Sequence, residues 1–81
     1  MNEWYVYILK CSDGSLYTGI TVDLDRRLDE HNNSKKGAKY TRARRPVQMM
    51  YSETYENRSL ASKREAAIKK LSRSEKLTLL K

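Results

Sequence analysis

The sequence predicts an α+β fold, with a small three-stranded, mostly antiparallel sheet flanked by helices in the order ββαβαα. Two short runs of aromatic and β-branched residues are separated by a glycine turn, which is typical of a hairpin. Apolar residues then recur at helical spacing in two later segments, and an alternating strand lies between them. Because the chain has 81 residues, we expect one domain spanning residues 1–81.

The first two strands are predicted at residues 4–10 and 16–21, where tyrosine, tryptophan, valine, isoleucine and threonine are concentrated. Ser12-Asp13-Gly14 between them is a turn sequence, in which glycine can adopt a positive φ. The two strands should therefore pair as an antiparallel hairpin.

Two registers are possible for this hairpin. A two-residue turn would pair Tyr7 with Ile20 and place Tyr7 and Tyr17 on opposite faces of the sheet. A three-residue loop with Gly14 in the left-handed conformation would pair Tyr7 with Gly19 and place both tyrosines on one face. The loop sequence suits the second register, which we therefore predict.

The first helix is predicted at residues 23–31, with Thr21 or Asp23 as its N-cap. Asp23, Arg27 and His31 are four residues apart and should lie along one face. Arg27 and His31 near the glycine-containing strand could form a small pocket with affinity for phosphate. The alternative is that Arg27 pairs with Asp23 and that His31 lies on a solvated surface.

The loop predicted at residues 34–46 is the basic centre of the chain, because no acidic residue occurs between Glu30 and Glu53. Tyr40 could stack on a nucleic-acid base or could pack on the surface of the domain itself. The candidate nucleic-acid-binding residues of this loop are Lys35, Lys36, Lys39, Tyr40, Arg42, Arg44 and Arg45.

The third strand is predicted at residues 47–55, where Met49, Tyr51 and Glu53 alternate with Met50 and Ser52. A second helix should follow, capped by Asn57 or Ser59. Its predicted apolar stripe consists of Leu60, Ala67, Ile68 and Leu71. The S-x-x-E sequence at residues 72–75 is a capping box and predicts a last short helix, with Leu77 and Leu80 on its apolar side.

Glu65 lies at the edge of the predicted apolar stripe of the second helix. It could form an i, i+4 ion pair with Lys69 on the helix surface. It could instead line a pocket as a ligand of one Mg²⁺ ion that keeps most of its waters and also contacts substrate phosphate. The local sequence leaves both interpretations open.

The composition limits the classes of function. A single cysteine, Cys11, excludes an internal disulfide and a multi-cysteine zinc site. The longest apolar run, residues 4–9, is too short to span a bilayer, and no signal-peptide pattern is recognised. We therefore expect a cytoplasmic protein without a membrane partner. The net charge of +7 favours a polyanionic partner, of which nucleic acid is the commonest.

Five features in this order resemble the GIY-YIG nuclease family: Tyr5-Val6-Tyr7, Tyr17-Thr18-Gly19, Arg27, His31 and Glu65. The resemblance covers nearly the whole chain and is closest to the small stand-alone bacterial proteins of the family. The chain is also similar to the nuclease domain of the eukaryotic endonuclease that cuts branched DNA.

The resemblance implies a metal-dependent DNA endonuclease that hydrolyses phosphodiester bonds. Glu65 would bind Mg²⁺ or Mn²⁺, and Arg27 would bind the scissile phosphate. Tyr7 is the candidate general base for the attacking water, and His31 is the alternative. Tyr17 and His31 would position water or help to move the proton. These five residues are the candidate catalytic residues.

The departures from the family pattern include Tyr5, which replaces the glycine of G-I-Y, and Thr18, which replaces the isoleucine of Y-I-G. Gly19, which the predicted register places opposite Tyr7, is expected to leave room for the DNA backbone. Branched or damaged DNA, in repair or recombination, is the substrate class that the resemblance implies. Many family members carry a second DNA-binding domain, for which residues 1–81 leave no room. Target choice is therefore expected to depend on a protein partner or on the shape of the DNA.

Two rival functions come from other classes. The first is a non-catalytic nucleic-acid-binding module, for which the basic loop alone would suffice. The second is a protein-interaction adaptor that uses the edge of the sheet.

Overall fold

Three antiparallel strands form the centre of the molecule in a computed structural model of the chain, which describes residues 3–80. They are β1 (Trp4–Lys10), β2 (Leu16–Thr21) and β3 (Gln48–Tyr55), and β1 lies between the other two. The predicted α+β class with a three-stranded antiparallel sheet is confirmed.

Four helices accompany the sheet: α1 (Leu24–Asn33), α2 (Lys39–Arg42), α3 (Arg58–Lys69) and α4 (Arg73–Leu79). The order is therefore ββααβαα, because the predicted loop at residues 34–46 contains one additional helical turn, α2. A turn of four residues carries too little periodicity to be recognised in the sequence. No helix within the described range combines the length and the apolar character needed to cross a membrane.

The helix N-caps use short polar side chains, as the sequence predicts. Asp23 accepts a hydrogen bond from the backbone N–H of Arg26, so that Asp23 and not Thr21 caps α1. Asn57 caps α3 in the same way, and Ser72 with Glu75 forms the predicted capping box of α4. Each cap satisfies backbone donors that have no partner within the helix.

The hairpin has the predicted register. Tyr7 lies opposite Gly19, and Leu9 lies opposite Tyr17. Gly14 has a φ of +85°, which a side chain would disfavour and which the three-residue loop requires. Because residues paired across two strands point to the same side, Tyr7 and Tyr17 share one face of the sheet.

The third strand departs from the predicted alternation. The pairing of β1 with β3 shifts between Ile8 and Leu9, so that Ile8 lies opposite Tyr51 but Leu9 lies opposite Met49. The bulge places Met49 and Tyr51 in hydrophobic clusters on opposite sides of the sheet. A regular strand would have placed both side chains on one face.

Two hydrophobic clusters cover the two faces of the sheet. On one face Val6 and Ile8 pack with Ala61 and Ile68 of α3. On the other face lie Tyr7, Leu9, Cys11 and Val47, against which Leu24 and Leu28 of α1 pack. Tyr7 therefore belongs to the face that α1 covers.

The predicted apolar stripes of the last two helices are partly wrong. Ile68 is buried as expected, but Leu60 and Ala67 are exposed, and the second buried residue of α3 is Ala61. In α4, Leu77 is also exposed. Leu79 and Leu80, which end this short helix, pack on the core in its place.

A carboxylate on β3 anchors this strand to α3. The guanidinium of Arg64 donates two hydrogen bonds to Glu53, with distances of 2.9 and 3.0 Å. The hydroxyls of Tyr51 and Tyr55 donate to the same carboxylate. The hydrogen bonds from Arg64 are the main reason that the pKa of Glu53 is lowered to about 2. Glu53 therefore holds its charge and its partners across the neutral range.

Replacement of Glu53 by glutamine should reduce the free energy of unfolding at neutral pH by about 1–3 kcal/mol, because Arg64 loses its charged partner. Because folding lowers the pKa of Glu53, its charge stabilises the fold fully above pH 4.5, the ordinary pKa of glutamate. This stabilisation is lost as the pH falls toward 2. The difference between wild type and variant should therefore shrink as the pH falls through this range. Chemical unfolding at several pH values measures it, and Glu56→Gln, at an exposed position, is the control.

Candidate active site

A chain of hydrogen bonds links β1, α1 and α2 inside the protein. The hydroxyl of Tyr7 lies 2.8 Å from Nε2 of His31, and Nδ1 of His31 lies 2.8 Å from Oγ1 of Thr41. His31 and Thr41 are completely buried, and Tyr7 is 1% exposed. The expectation of a solvated surface position for His31 is therefore wrong.

The hydroxyl of Thr41, the last group in this series, determines which groups donate and which accept the hydrogen bonds. Oγ1 of Thr41 donates its only proton to the carbonyl oxygen of Ala38, at 2.9 Å. Thr41 must therefore accept a hydrogen bond from Nδ1–H of His31. Nε2 of His31 then carries a lone pair and accepts the hydroxyl proton of Tyr7. The neighbouring backbone thus sets the tautomer of the histidine.

Burial controls the protonation of the two ring systems. It lowers the pKa of His31 to about 4, and the positive charge of Arg27 adds to this effect. Burial also raises the pKa of the Tyr7 hydroxyl to about 12, although hydrogen bonding to Arg27 opposes the rise. At neutral pH the resting pair is thus a neutral phenol beside a neutral imidazole that can accept its proton.

Tyr17 completes a group of three rings, Tyr7, Tyr17 and His31, which we call the tyrosine–histidine cluster. The ring centroids of Tyr17 and His31 are 5.2 Å apart, and those of Tyr7 and Tyr17 are 6.4 Å apart. Tyr40 of α2 stacks on the outer side of Tyr17, with centroids 6.0 Å apart. The guanidinium carbon of Arg44 lies 3.9 Å from the ring centre of Tyr40. Tyr40 therefore packs on the domain itself, while 39% of the residue remains exposed.

Arg27 lies beside this cluster on α1. Its Nη1 donates to Glu30 at 3.0 Å and to the carbonyl oxygen of Lys36 at 2.8 Å. The expected pair with Asp23 is wrong, because Asp23 is occupied as the helix cap. The side chain of Arg27 is 25% exposed, so that the guanidinium connects the buried Tyr7 with the surface.

The ring of Tyr7, and not a need to leave room for DNA, explains why position 19 is glycine. A Cβ atom at this position would lie 2.5 Å from the hydroxyl oxygen and 2.7 Å from Cζ of Tyr7. The phenol of Tyr7 therefore fills the space that we expected to receive the DNA backbone. Any side chain here would push Tyr7 away from His31.

Glu65 reaches the same region from α3. Its negative charge contributes to the raised pKa of Tyr7, which places the carboxylate within electrostatic range of the cluster. Oε2 of Glu65 lies 3.2 Å from Nζ of Lys69, which is the i, i+4 pair that the sequence left open. The side chain of Glu65 is 23% exposed, and a carboxylate of this kind can take a hard divalent cation in place of the ammonium group.

The set of donors near Glu65 suits one kind of metal. Within residues 3–80, no three histidine, cysteine, aspartate or glutamate side chains are grouped as ligands for one ion. A single carboxylate fits Mg²⁺ or Mn²⁺, which keep several waters and take further oxygen ligands from substrate phosphates.

Two arginines of the predicted basic loop, Arg44 and Arg45, form hydrogen bonds within the domain. Arg45 donates to the carbonyl oxygens of Glu30, His31 and Ser34 and so caps the C-terminal end of α1. Arg44 bonds Asp13 at 3.1 Å and also donates to the carbonyl oxygen of Tyr40. Both guanidinium groups are therefore engaged within the domain. The exposed cations of this loop are Lys35, Lys36, Lys39 and Arg42.

Thr41 is the residue that sequence reasoning missed. A threonine within a run of lysines and arginines carries no signal of burial, and its position depends on the one-turn helix α2. Thr41 meets His31, ten residues earlier, only because α2 folds back on α1, and the sequence does not indicate α2.

Comparisons with known proteins establish the family of this chain. The profile of the GIY-YIG catalytic domain matches residues 3–78. The chain belongs to the GIY-YIG nuclease family. The tyrosine–histidine cluster, Arg27 and Glu65 all lie within this GIY-YIG domain.

Bacterial proteins named UPF0213 are similar to this chain. One from Desulfotalea psychrophila is 62% identical over 78 residues, which are 96% of this chain and 71% of that protein. One from Syntrophus aciditrophicus is 57% identical over 81 residues, which are 100% of this chain and 93% of that protein.

Two solution NMR structures are similar to this GIY-YIG domain. The UPF0213 protein from Bacillus halodurans has a TM-score of 0.61 and 46% identity, and the match covers 96% of this chain and 82% of the other. A protein from E. faecalis has a TM-score of 0.63 and 54% identity, with 94% and 80% covered. Both neighbours therefore share the overall fold of this chain.

Proposed function

We propose that this protein is a metal-dependent endonuclease that hydrolyses phosphodiester bonds in DNA. The observation that carries the proposal is the buried series of hydrogen bonds from Tyr7 through His31 to Thr41, in which Tyr7 also lies beside Arg27. A neutral imidazole whose tautomer is fixed by the backbone is suited to receive a proton from a tyrosine hydroxyl. Membership of the GIY-YIG family supports the same reaction class.

Tyr7 is the group that takes the proton of the attacking water in this proposal. As water gives its proton to the phenol oxygen, the phenol gives its own proton to Nε2 of His31. His31 does not act on water directly, because its two ring nitrogens are hydrogen-bonded to Tyr7 and Thr41. Tyr17 packs against both rings and positions them.

Arg27 is the residue that binds the scissile phosphate. Its guanidinium can offer parallel N–H donors to two phosphate oxygens as negative charge develops there. Because Tyr7 is nearly covered, the phosphate approaches it from the side on which the partly exposed Arg27 lies. Rotation of Arg27 from Glu30 toward the phosphate would open the hydroxyl of Tyr7 to water.

Glu65 is the proposed ligand of Mg²⁺ or Mn²⁺. A bound cation would polarise the phosphate and stabilise the leaving oxygen. Lys69 now neutralises this carboxylate and would have to leave it when a divalent cation binds. Glu65 is therefore the residue through which metal dependence should be tested.

The exposed cations of the basic loop are proposed as phosphate contacts, while Arg44 and Arg45 hold the loop in place. The double variant Lys35→Ala/Lys36→Ala should weaken binding to DNA of any sequence. The slope of log affinity against log salt should fall by about 0.9 for each lost contact to duplex DNA. Fluorescence anisotropy with chelator present measures both. Lys63→Ala/Lys70→Ala removes the same charge from exposed positions on and next to α3, and it should change neither quantity.

A nicking assay tests the function itself. The protein is incubated with supercoiled, linear and branched DNA in Mg²⁺, in Mn²⁺ and in chelator. We expect nicking that requires the metal and is faster on branched than on linear DNA. Binding without cleavage, unchanged by chelator, would identify a non-catalytic nucleic-acid-binding module, and absence of binding at low salt would favour a protein-interaction adaptor.

A further inference from the structure

A shallow depression lies on the outer side of β2, where α2 from one face of the sheet meets α3 and α4 from the other. Its volume is about 240 Å³, which is below the roughly 300–1,000 Å³ of pockets for drug-sized ligands. It is lined by Leu16, Tyr17, Thr18, Tyr40, Lys69 and Lys76. Tyr17 is shared with the tyrosine–histidine cluster, so that the depression adjoins the proposed site of cleavage.

The lining combines an apolar floor with a basic rim. Leu16 and the rings of Tyr17 and Tyr40 supply the floor, and Tyr40 is fixed by its stacking on Tyr17 and by Arg44. Lys69 and Lys76, from two different helices, form the rim, and none of the lining residues has a carboxylate side chain. A sugar and base on the floor with a phosphate at the rim would match this lining.

We propose that the depression is the subsite for the nucleotide next to the cleaved bond, and that Lys69 and Lys76 bind its phosphate. This proposal rests on the proposed nuclease function. The occupant is one nucleotide of a DNA strand whose neighbouring phosphate reaches Arg27. Nothing in the sequence pattern marks Lys76 for this role, because it lies on a short helix far along the chain from the basic loop.

Lys69 connects the subsite to Glu65. Lys69 lines the depression, and its ammonium nitrogen is 3.2 Å from Oε2 of Glu65. A divalent cation on Glu65 would repel this ammonium group and direct it toward the phosphate in the depression. Lys69 would therefore interact with both Glu65 and the flanking nucleotide, whereas Lys76 would interact with the nucleotide alone.

Lys76→Ala is the most direct test, because it leaves the Glu65–Lys69 pair in place. The probe is a fluorescein-labelled single strand of twelve deoxynucleotides, and anisotropy is measured in chelator so that no cleavage occurs. The affinity at low salt should fall by about fivefold, and the slope of log affinity against log salt should fall by about 0.7. Lys76→Arg should retain both values, and Lys63→Ala, at an exposed position of α3, should match the wild type. Thermal melting confirms that each variant is folded.

The outcomes separate this proposal from the proposed function. If the wild type nicks DNA but Lys76→Ala binds the probe as tightly as Lys63→Ala does, the subsite is wrong and the nuclease function stands. If the wild type does not nick but Lys76→Ala alone loses affinity, the nuclease function and the position next to a cleaved bond are wrong, and the depression is a site that only binds a DNA strand. Deoxythymidine monophosphate should compete far more weakly than the strand. Tight, Lys76-dependent binding of this mononucleotide would overturn the assignment to a DNA strand.

Discussion

Replacing Glu65 by glutamine is expected to abolish metal-dependent nicking of DNA while DNA binding is retained or becomes tighter. Glutamine keeps the shape of the side chain but removes the negative charge that attracts a hard divalent cation. Loss of this cation should lower the nicking rate by about a hundredfold or more. Binding should not weaken, because one carboxylate that repels the DNA backbone is removed. Nicking rate and binding affinity are measured on the same preparation.

The stability of this variant is the first control. The Glu65–Lys69 pair is partly exposed and contributes under about 1 kcal/mol, so the melting temperature should change little. Glu56→Gln makes the same change of charge at an exposed position before α3 and should nick at the wild-type rate. Undiminished cleavage by Glu65→Gln would refute the metal-binding role and leave Glu65 as a surface partner of Lys69.

The sequence predicts those elements of the fold that have a local signature, such as a turn sequence or a helix cap. The three-residue loop with Gly14 determines the register that places Tyr7 and Tyr17 on one face. The S-x-x-E sequence marks the start of α4 at Ser72. The bulge in β3 and the one-turn helix α2 have no such signature, because each depends on contacts with other elements.

The candidate site is less predictable because burial is a property of the assembled fold. Spacing along α1 indicates that Arg27 and His31 are neighbours, but it does not show that His31 is enclosed by Tyr7 and Thr41. The count of cations in the basic loop likewise does not distinguish the solvent-exposed Lys35 from Arg45, which caps α1. Contacts of this kind join residues that are ten or more positions apart, and only the tertiary structure provides them.

Replacing Tyr7 by phenylalanine should reduce the nicking rate by about 10²- to 10⁴-fold, the range expected for loss of a general base. The rings and their packing remain, but Nε2 of His31 loses its hydrogen-bond donor. The free energy of unfolding should fall by about 1–3 kcal/mol, so the assay is run well below the melting temperature. Tyr5→Phe, two residues earlier on β1, is the matched control and should nick at the wild-type rate.

The pH profile of the wild type then separates the two candidate bases. His31 has a pKa of about 4 and Tyr7 a pKa of about 12, so both groups stay neutral throughout the neutral range. If the proton passes from water to Tyr7 and from Tyr7 to His31, the nicking rate should be nearly flat between about pH 6 and pH 9. A rate that rises about tenfold per pH unit would show that a phenolate forms first without His31. A rate that falls below about pH 6.5 would show that an accessible imidazole is the base. The burial of His31 and its bond to Thr41 favour the flat profile.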